Sequence, residues 1–239
     1  MILILRGHIR DSFDTQDLYN FVKNLYNIFK NLKIYIHTWN IFSNNISWRK
    51  INLNNKKLNK TIIYNYFNDL QFLIKKIIID DDTQIKLIGN LNGNVSVSKM
   101  PLKGWKNYWY GKYNIIDYIY NLNIDKNEFV INTRFDLFSN SNVFDSKEIL
   151  VFIKNNYEKS FIKNHFLKDI ENTLGIDNIY IGNVYTMYTL INKFYTELDQ
   201  ILIENKNIIN QEKLVIIVNS QLFACNPDTN KSCCFINLS

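Results

Sequence analysis

Cysteine is scarce. The chain has three, Cys225, Cys233 and Cys234, gathered near its C-terminal end. They lack a partnering His and any metal-ligand spacing, which points to a reduced, cytosolic protein. Proline is scarcer still, with two residues, and no Pro/Ser-rich linker marks a domain boundary. No apolar run reaches the length of a membrane span. The opening MILIL has no basic segment before it and is interrupted by Arg6, so it reads as a first strand rather than a signal peptide. No internal repeat stands out. A Gly-rich Walker pattern is also missing, which excludes a P-loop kinase or a sulfotransferase-like reading.

What is present is ample material for a core. The 239 residues are 46% apolar and 15% aromatic, well above a disordered composition. The formal charge is +6, but it is spread as Lys among Asn, as in NNKKLNK. A nucleic-acid face calls for a basic stripe, preferably rich in Arg, so no nucleic acid is expected as a partner. The informative cations are the four arginines, Arg6, Arg10, Arg49 and Arg134. Where Lys is the default, Arg suggests planar, bidentate recognition of phosphate or carboxylate.

Apolar periodicity gives a first strand over residues 2–5. A polar loop containing Gly7 follows, then a helix to about residue 32, with Asp14 as its N-cap. Gly7 permits a positive φ or a close backbone approach. A strand, a Gly-containing loop and a helix make a unit that can cradle a phosphate at the helix N-terminus. Residues 33–36 form a second strand, ending at His37, Thr38 and Trp39. If the strands are parallel, this end shares an edge with Arg6, Gly7, His8 and Arg10. His37 reads equally as a core histidine. Trp48 and Arg49 suit stacking on a base or sugar ring. Further elements are expected as helices over 61–78, 113–122, 147–154, 160–174 and 184–203, and strands over 84–88 and 177–183. Residues 212–218 read as a strand or a helix. Asp80, Asp81 and Asp82 read more readily as a solvated loop than as a cation site.

Two stretches carry the chemistry. Residues 128–142 begin with the apolar run Phe129, Val130, Ile131 and turn abruptly into Asn132, Thr133, Arg134 and Asp136. A strand that ends in Arg-x-Asp and runs into a loop is where α/β proteins place ligands. Residues 100–111 combine Lys103, Trp105, Trp109 and Tyr110 with two Gly and a Pro. They are expected to form a loop whose aromatics meet a sugar.

The opening ILILRGHIRDSF, with IYIHTWN, INTRFDLF and DNIYIGNVYTM, resembles small bacterial glycosyltransferases of the lipopolysaccharide and capsule type. The resemblance spans roughly residues 1–190, and Arg-x-Asp stands where other members of that fold carry Asp-x-Asp. It implies an α/β, GT-A-like (Rossmann-like) domain over 1–239, with a mostly parallel central sheet flanked by helices. Residues 1–140 would form the nucleotide-sugar-binding half and 141–239 the acceptor side and tail. It implies a nucleotide-sugar donor, UDP-type favoured, and a glycan or lipid-linked oligosaccharide acceptor. The enzyme would sit in the cytoplasm or peripherally at the inner membrane face. Asp136, Arg134 and Asp177 become catalytic candidates, and Glu212 a positional alternative as base. Arg6, Gly7, His8, Arg10, His37, Thr38, Trp39 and Arg49 become donor-binding candidates. Lys103, Trp105, Trp109, Tyr110, Gly182 and Asn183 become acceptor candidates. Mn²⁺ or Mg²⁺ at Asp136 is left open, because Arg134 replaces the first acidic residue. A non-catalytic carbohydrate-binding or assembly protein on the same fold is the alternative, and a basic nucleic-acid-binding protein a weaker one.

Overall fold

The structure, a computed structural model, describes residues 1–46, 53–95, 99–139, 144–157, 164–168, 175–208, 211–223 and 235–237, without the side chains of 167–168, 175–177, 211 and 235–237. In chain order the elements are β1 (Ile2–Arg6), α1 (Asp17–Ile28), β2 (Lys33–Trp39), β3 (Ile41–Ser43), β4 (Asn54–Lys57), α2 (Lys60–Phe67), β5 (Ile74–Asp80) and α3 (Leu102–Tyr120). There follow β6 (Phe129–Arg134), α4 (Ser146–Asn156), β7 (His165–Lys168), β8 (Gly175–Asn183), α5 (Val184–Glu204), α6 (Gln211–Leu222) and β9 (Phe235–Asn237).

Seven strands form one sheet in the order β5-β2-β1-β6-β8-β7-β9, and β3 pairs with β4 beside it. The first four run parallel. β8 is antiparallel to both β6 and β7, and β7 is parallel to β9. This is an α/β fold with a mostly parallel central sheet flanked by helices.

Strand alternation sorts the core into two layers. Leu3, Leu5, Ile34, Ile36, Phe129 and Ile131 pack with Phe21, Leu25, Phe67 and Phe152 of α1, α2 and α4. Ile2, Ile4, Tyr35, Val130 and Tyr180 pack with residues of α3, α5 and α6, including Trp109, Phe194 and Val215. Burial on both faces is what an all-parallel block requires, and it explains the apolar runs over residues 2–5 of β1 and 129–131 of β6.

The chain leaves β1 for β2 and β5 on one side, then returns through α3 to β6 on the other. The crevice outside the carboxyl ends of β1 and β6 is therefore the topological switch point, the usual ligand position in such sheets.

Several expectations are corrected. The helix over 61–78 stops at Phe67, passes through a 3-10 segment (Asn68–Leu73), and gives way to β5. Asn68 has φ +44°, and the β-branched run Ile77-Ile78-Ile79 pairs with β2. Residues 84–88, expected as a strand, are irregular. The loop expected over 100–111 is the first half of α3. Its glycine at 111 is a packing device, because a Cβ there would lie 2.7 Å from His37 Nδ1. Within 160–174, expected as a helix, residues 165–168 form β7, and most of the remainder lies outside the described residues. Residues 212–218 belong to a helix, α6. α1 begins after Gln16 with no side-chain cap, because Asp14 is held in a turn by Asp11 and Thr15 bonds to Asp17.

Candidate functional site

Parallel register sets Arg6 level with His37 on one side and Arg134 on the other. Alternation places Arg6, His37, Asn132 and Arg134 on the face covered by α3 and α5, so that face turns polar at its carboxyl edge. Arg6 Nε donates to Asn132 Oδ1 at 2.7 Å, and its guanidinium lies 4.8 Å from the Tyr108 ring and 5.7 Å from the Tyr180 ring. Lys112 donates to Tyr108 Oη at 2.5 Å and sits 3.7 Å above the Tyr180 ring. The two tyrosine hydroxyls are 3.0 Å apart. Aromatic faces thus hold two buried cations behind the strand ends.

The loop after β1 carries the second layer of charge. Gly7 has φ +89° and donates its N–H to the His37 carbonyl at 3.1 Å. Arg10, a non-glycine, has φ +56°, and its N–H donates to the Phe42 carbonyl at 2.8 Å. A left-handed arginine stores backbone strain, which marks functional loops more often than idle ones. The strain aims Arg10 at Asp136, with Nη1 to Oδ2 at 2.5 Å.

Arg134 clasps the same carboxylate from the other side, with Nε to Oδ1 at 2.7 Å and Nη2 to Oδ2 at 2.6 Å. Its Nη1 reaches Asn178 Oδ1 at 3.1 Å. The Asp136 side chain is 2% exposed, while those of Arg10 and Arg134 are 22% and 23% exposed. Burial works to raise the Asp136 pKa, but the guanidiniums of Arg134 and Arg10 outweigh it and hold the carboxyl below its usual range.

His8 completes this group. Burial first, then the Arg10 charge, pushes its imidazole down to about 3. Its Nε2 is buried and has no hydrogen-bond partner among the described residues.

Beside this cluster, His37 Nε2 lies 3.1 Å from Asp80 Oδ2, and Asn114 donates to the same oxygen at 2.7 Å. The His37 hydrogen bond, against the effect of burial, keeps the Asp80 carboxyl below its ordinary pKa. Tyr110 is pushed up to about 12, by burial and then by Asp80. Gly111 lets α3 press against the His37 ring. Asp81 and Asp82 turn elsewhere: Asp81 accepts from Asn40 and Thr83, and Asp82 from Asn44. The acidic run therefore disperses its carboxylates among separate partners.

The structure brings together Arg6, Gly7, His8, Arg10, His37, Arg134 and Asp136, with Trp39 and Tyr110 at one side. It disperses the other described candidates. Thr38 is buried and shares the strand face of Ile34 and Ile36, away from Arg6. Trp105 and Trp109 are each 1% exposed, and Trp109 stacks on Phe194 at 4.2 Å. They are core residues between α3 and α5, which corrects their reading as an exposed sugar platform. Lys103 is exposed on the first turn of α3.

Gly182 and Asn183 stand at the opposite end of the sheet. Asn183 is in register with Phe129, roughly 17 Å along β6 from Arg134 at the usual strand rise. Asn183 caps α5 through a capping box with Thr186, and a Cβ at Gly182 would collide with Asn164. Both residues are accounted for by packing. Asp177 precedes the Arg134 partner Asn178, and its side chain lies outside the described set, as do Arg49, Trp48 and all three cysteines. Glu212 falls on the first turn of α6.

Sequence reasoning missed Tyr108, Lys112, Tyr180 and Asn114 as site neighbours. The pair Tyr108 and Lys112, four apart on one helix, was the available signal for the cation-holding layer.

The divalent cation left open at Asp136 does not fit this donor set. Both Asp136 oxygens accept from guanidiniums. Among the described residues, no three His, Cys, Asp or Glu side chains gather into a metal-holding group.

No protein-family model matches the chain, and no curated protein matches it. Among solved structures, an active-site mutant of LgtC is similar over 93% of this chain and 70% of its own, with 7% identity and a TM-score of 0.40. A likeness at that level adds nothing to the topology described above.

Proposed function

We propose that the chain is a glycosyltransferase that moves a sugar from a nucleotide-sugar donor to a glycan or lipid-linked acceptor in surface polysaccharide synthesis. The observation that carries this reading is the Arg10–Asp136–Arg134 cluster at the switch point of the sheet, backed by Arg6 and His8. In the transfer, an acceptor hydroxyl oxygen bonds to the anomeric carbon as that carbon's bond to the β-phosphate oxygen breaks. The electron pair leaves with the nucleoside diphosphate, and the acceptor proton passes to a base.

Negative charge grows on the leaving diphosphate, so preorganised cations at that point lower the barrier. Arg10 and Arg134 supply them, and Asp136 fixes the orientation of both. The His8 Nε2 offers the donor an uncharged hydrogen-bonding atom. His37, held by Asp80, and Trp39 stand beside this group. Asp177, adjacent to Asn178, is our candidate base. Residues 1–140 carry the donor side in this reading, and residues 141–239 the acceptor side. Among the described residues, no helix is long and apolar enough to cross a membrane. In this reading a lipid-linked acceptor is met peripherally, at the inner membrane face.

The test is turnover. The protein is incubated with UDP-, GDP-, CMP- and dTDP-sugars and candidate acceptors, and the released nucleotide is quantified. One donor class is expected to turn over, with Asp136→Ala and Arg134→Ala each slower by about 100-fold, the scale of one lost transition-state contact. Normal transfer by both variants would refute the assignment.

A further inference from the structure

We infer that the site holds the diphosphate of its donor without a divalent cation, the guanidiniums of Arg10 and Arg134 standing where an ion would otherwise sit. The inference rests on the donor-binding reading above and goes on to say how the charge is met.

The ground is which atoms a ligand encounters. A hard dication is bound by several oxygen ligands, carboxylates foremost. Here the Asp136 carboxylate is 2% exposed, and the arginines that clasp it are 22% and 23% exposed. A ligand reaching this point meets guanidinium before carboxylate. Oδ1 accepts from Arg134 at 2.7 Å, and Oδ2 accepts from Arg134 at 2.6 Å and from Arg10 at 2.5 Å. An ion could coordinate Asp136 only by prising away groups of its own sign.

The loop that directly follows β6 and its turn offers no replacement. Residues 140–143, NSNV, contain no carboxylate, His or Cys. At the ends of β2 and β5, Asp80 is taken by His37 and Asn114, and Asp81 by Asn40 and Thr83.

The same geometry suits a diphosphate. The partly exposed guanidiniums of Arg10 and Arg134 present positive charge at the mouth of the cluster, with Arg6 behind them. Planar forks match phosphate oxygens bidentately, which a point charge cannot do. Asp136 is then a positioning residue. Its two oxygens fix the planes of both forks before the ligand arrives, so less ordering remains to be done on binding.

The experiment is calorimetric titration of UDP, GDP, CDP and dTDP into the full chain, first in EDTA and then with excess Mn²⁺ or Mg²⁺. The nucleotide that binds is expected to do so in EDTA with a Kd within tenfold of its Kd with the ion. Arg10→Ala should weaken that binding by tenfold or more, and Arg10→Lys should restore part of it. The wild-type comparison needs no variant, so it decides the matter even if Arg10→Ala fails to fold. Binding that collapses by tenfold or more on chelation and returns with the ion would overturn this inference and leave the transferase reading standing. No binding of any nucleotide in either condition would overturn both.

Discussion

Acid should destabilise this protein through His8 well before its carboxylates titrate. An unfolded histidine takes up its proton near pH 6.5, whereas in the fold His8 does so only near 3, because burial and the Arg10 charge oppose the imidazolium. Between these values the unfolded chain binds more protons than the native one. Stability therefore rises with pH, and it is lost as pH falls from about 6.5 toward 3. At about 1.36 kcal/mol per pH unit the full window amounts to roughly 5 kcal/mol, of which about 2.7 kcal/mol is lost by about pH 4.5.

Asp136, Asp80 and Glu128 have depressed pKa values. Their stabilisation is present above the unfolded carboxylate range and is lost only as pH falls through their lower folded values. Urea unfolding of wild type and His8→Gln at about pH 7 and about pH 4.5 separates the two effects, since both proteins share the carboxylates. Wild type should lose about 2–3 kcal/mol more than the variant over that interval. Equal losses would refute the argument, as would a His8 ring proton signal that titrates near pH 6.5. A neutral His8 at physiological pH is also what the donor-binding role requires of its Nε2.

Three substitutions probe other parts of the account. Gly111→Ala should destabilise, although helix propensity favours Ala by about 1 kcal/mol, because the new methyl would meet the buried His37 ring at 2.7 Å; a rise in urea midpoint would contradict the packing role. Trp109→Ala should cost about 3–5 kcal/mol as a core deletion; unchanged stability with a raised acceptor KM would return it to the sugar-binding reading. Asn183→Ala should cost about 1–2 kcal/mol by loss of a cap, with nucleotide affinity unchanged; a loss of affinity in a folded variant would place the far end of β8 in the site.

The parallel block and its ligand edge were legible because β1 is an apolar run that stops at Arg6, and β6 opens on the apolar run over residues 129–131 before turning polar toward Arg134. Both faces of such strands are buried, so polarity appears only where the strand ends. Gly7 was legible as a residue with positive φ. The segment around Trp105 was misread because its glycines looked like loop formers. In the fold they are places where α3 touches its neighbours. β5 was misread because Ile74, Ile77 and Ile78 satisfy helical spacing and strand pairing alike, and only the β2 edge decides between them. Gly182 and Asn183 read as a site turn because an antiparallel strand carries its C-terminal end away from the ligand edge. Nothing in a local motif announces that direction. The pairing of Arg10 with Asp136 spans 126 residues of sequence, and no local pattern could have shown it.

The central claim, that the carboxyl edge of β1 and β6 binds a nucleotide sugar, is most directly tested by thermal unfolding against UDP-, GDP-, CMP- and dTDP-sugars. A ligand that binds only the folded state at about 100 times its Kd adds roughly 2.7 kcal/mol. For a chain of this size that is a rise of about 5–10 °C. The account predicts such a rise with one nucleotide class and its absence in Arg134→Ala. No rise with any nucleotide, alongside a clear rise with a glycan alone, would contradict it and point to a carbohydrate-binding protein without transfer chemistry.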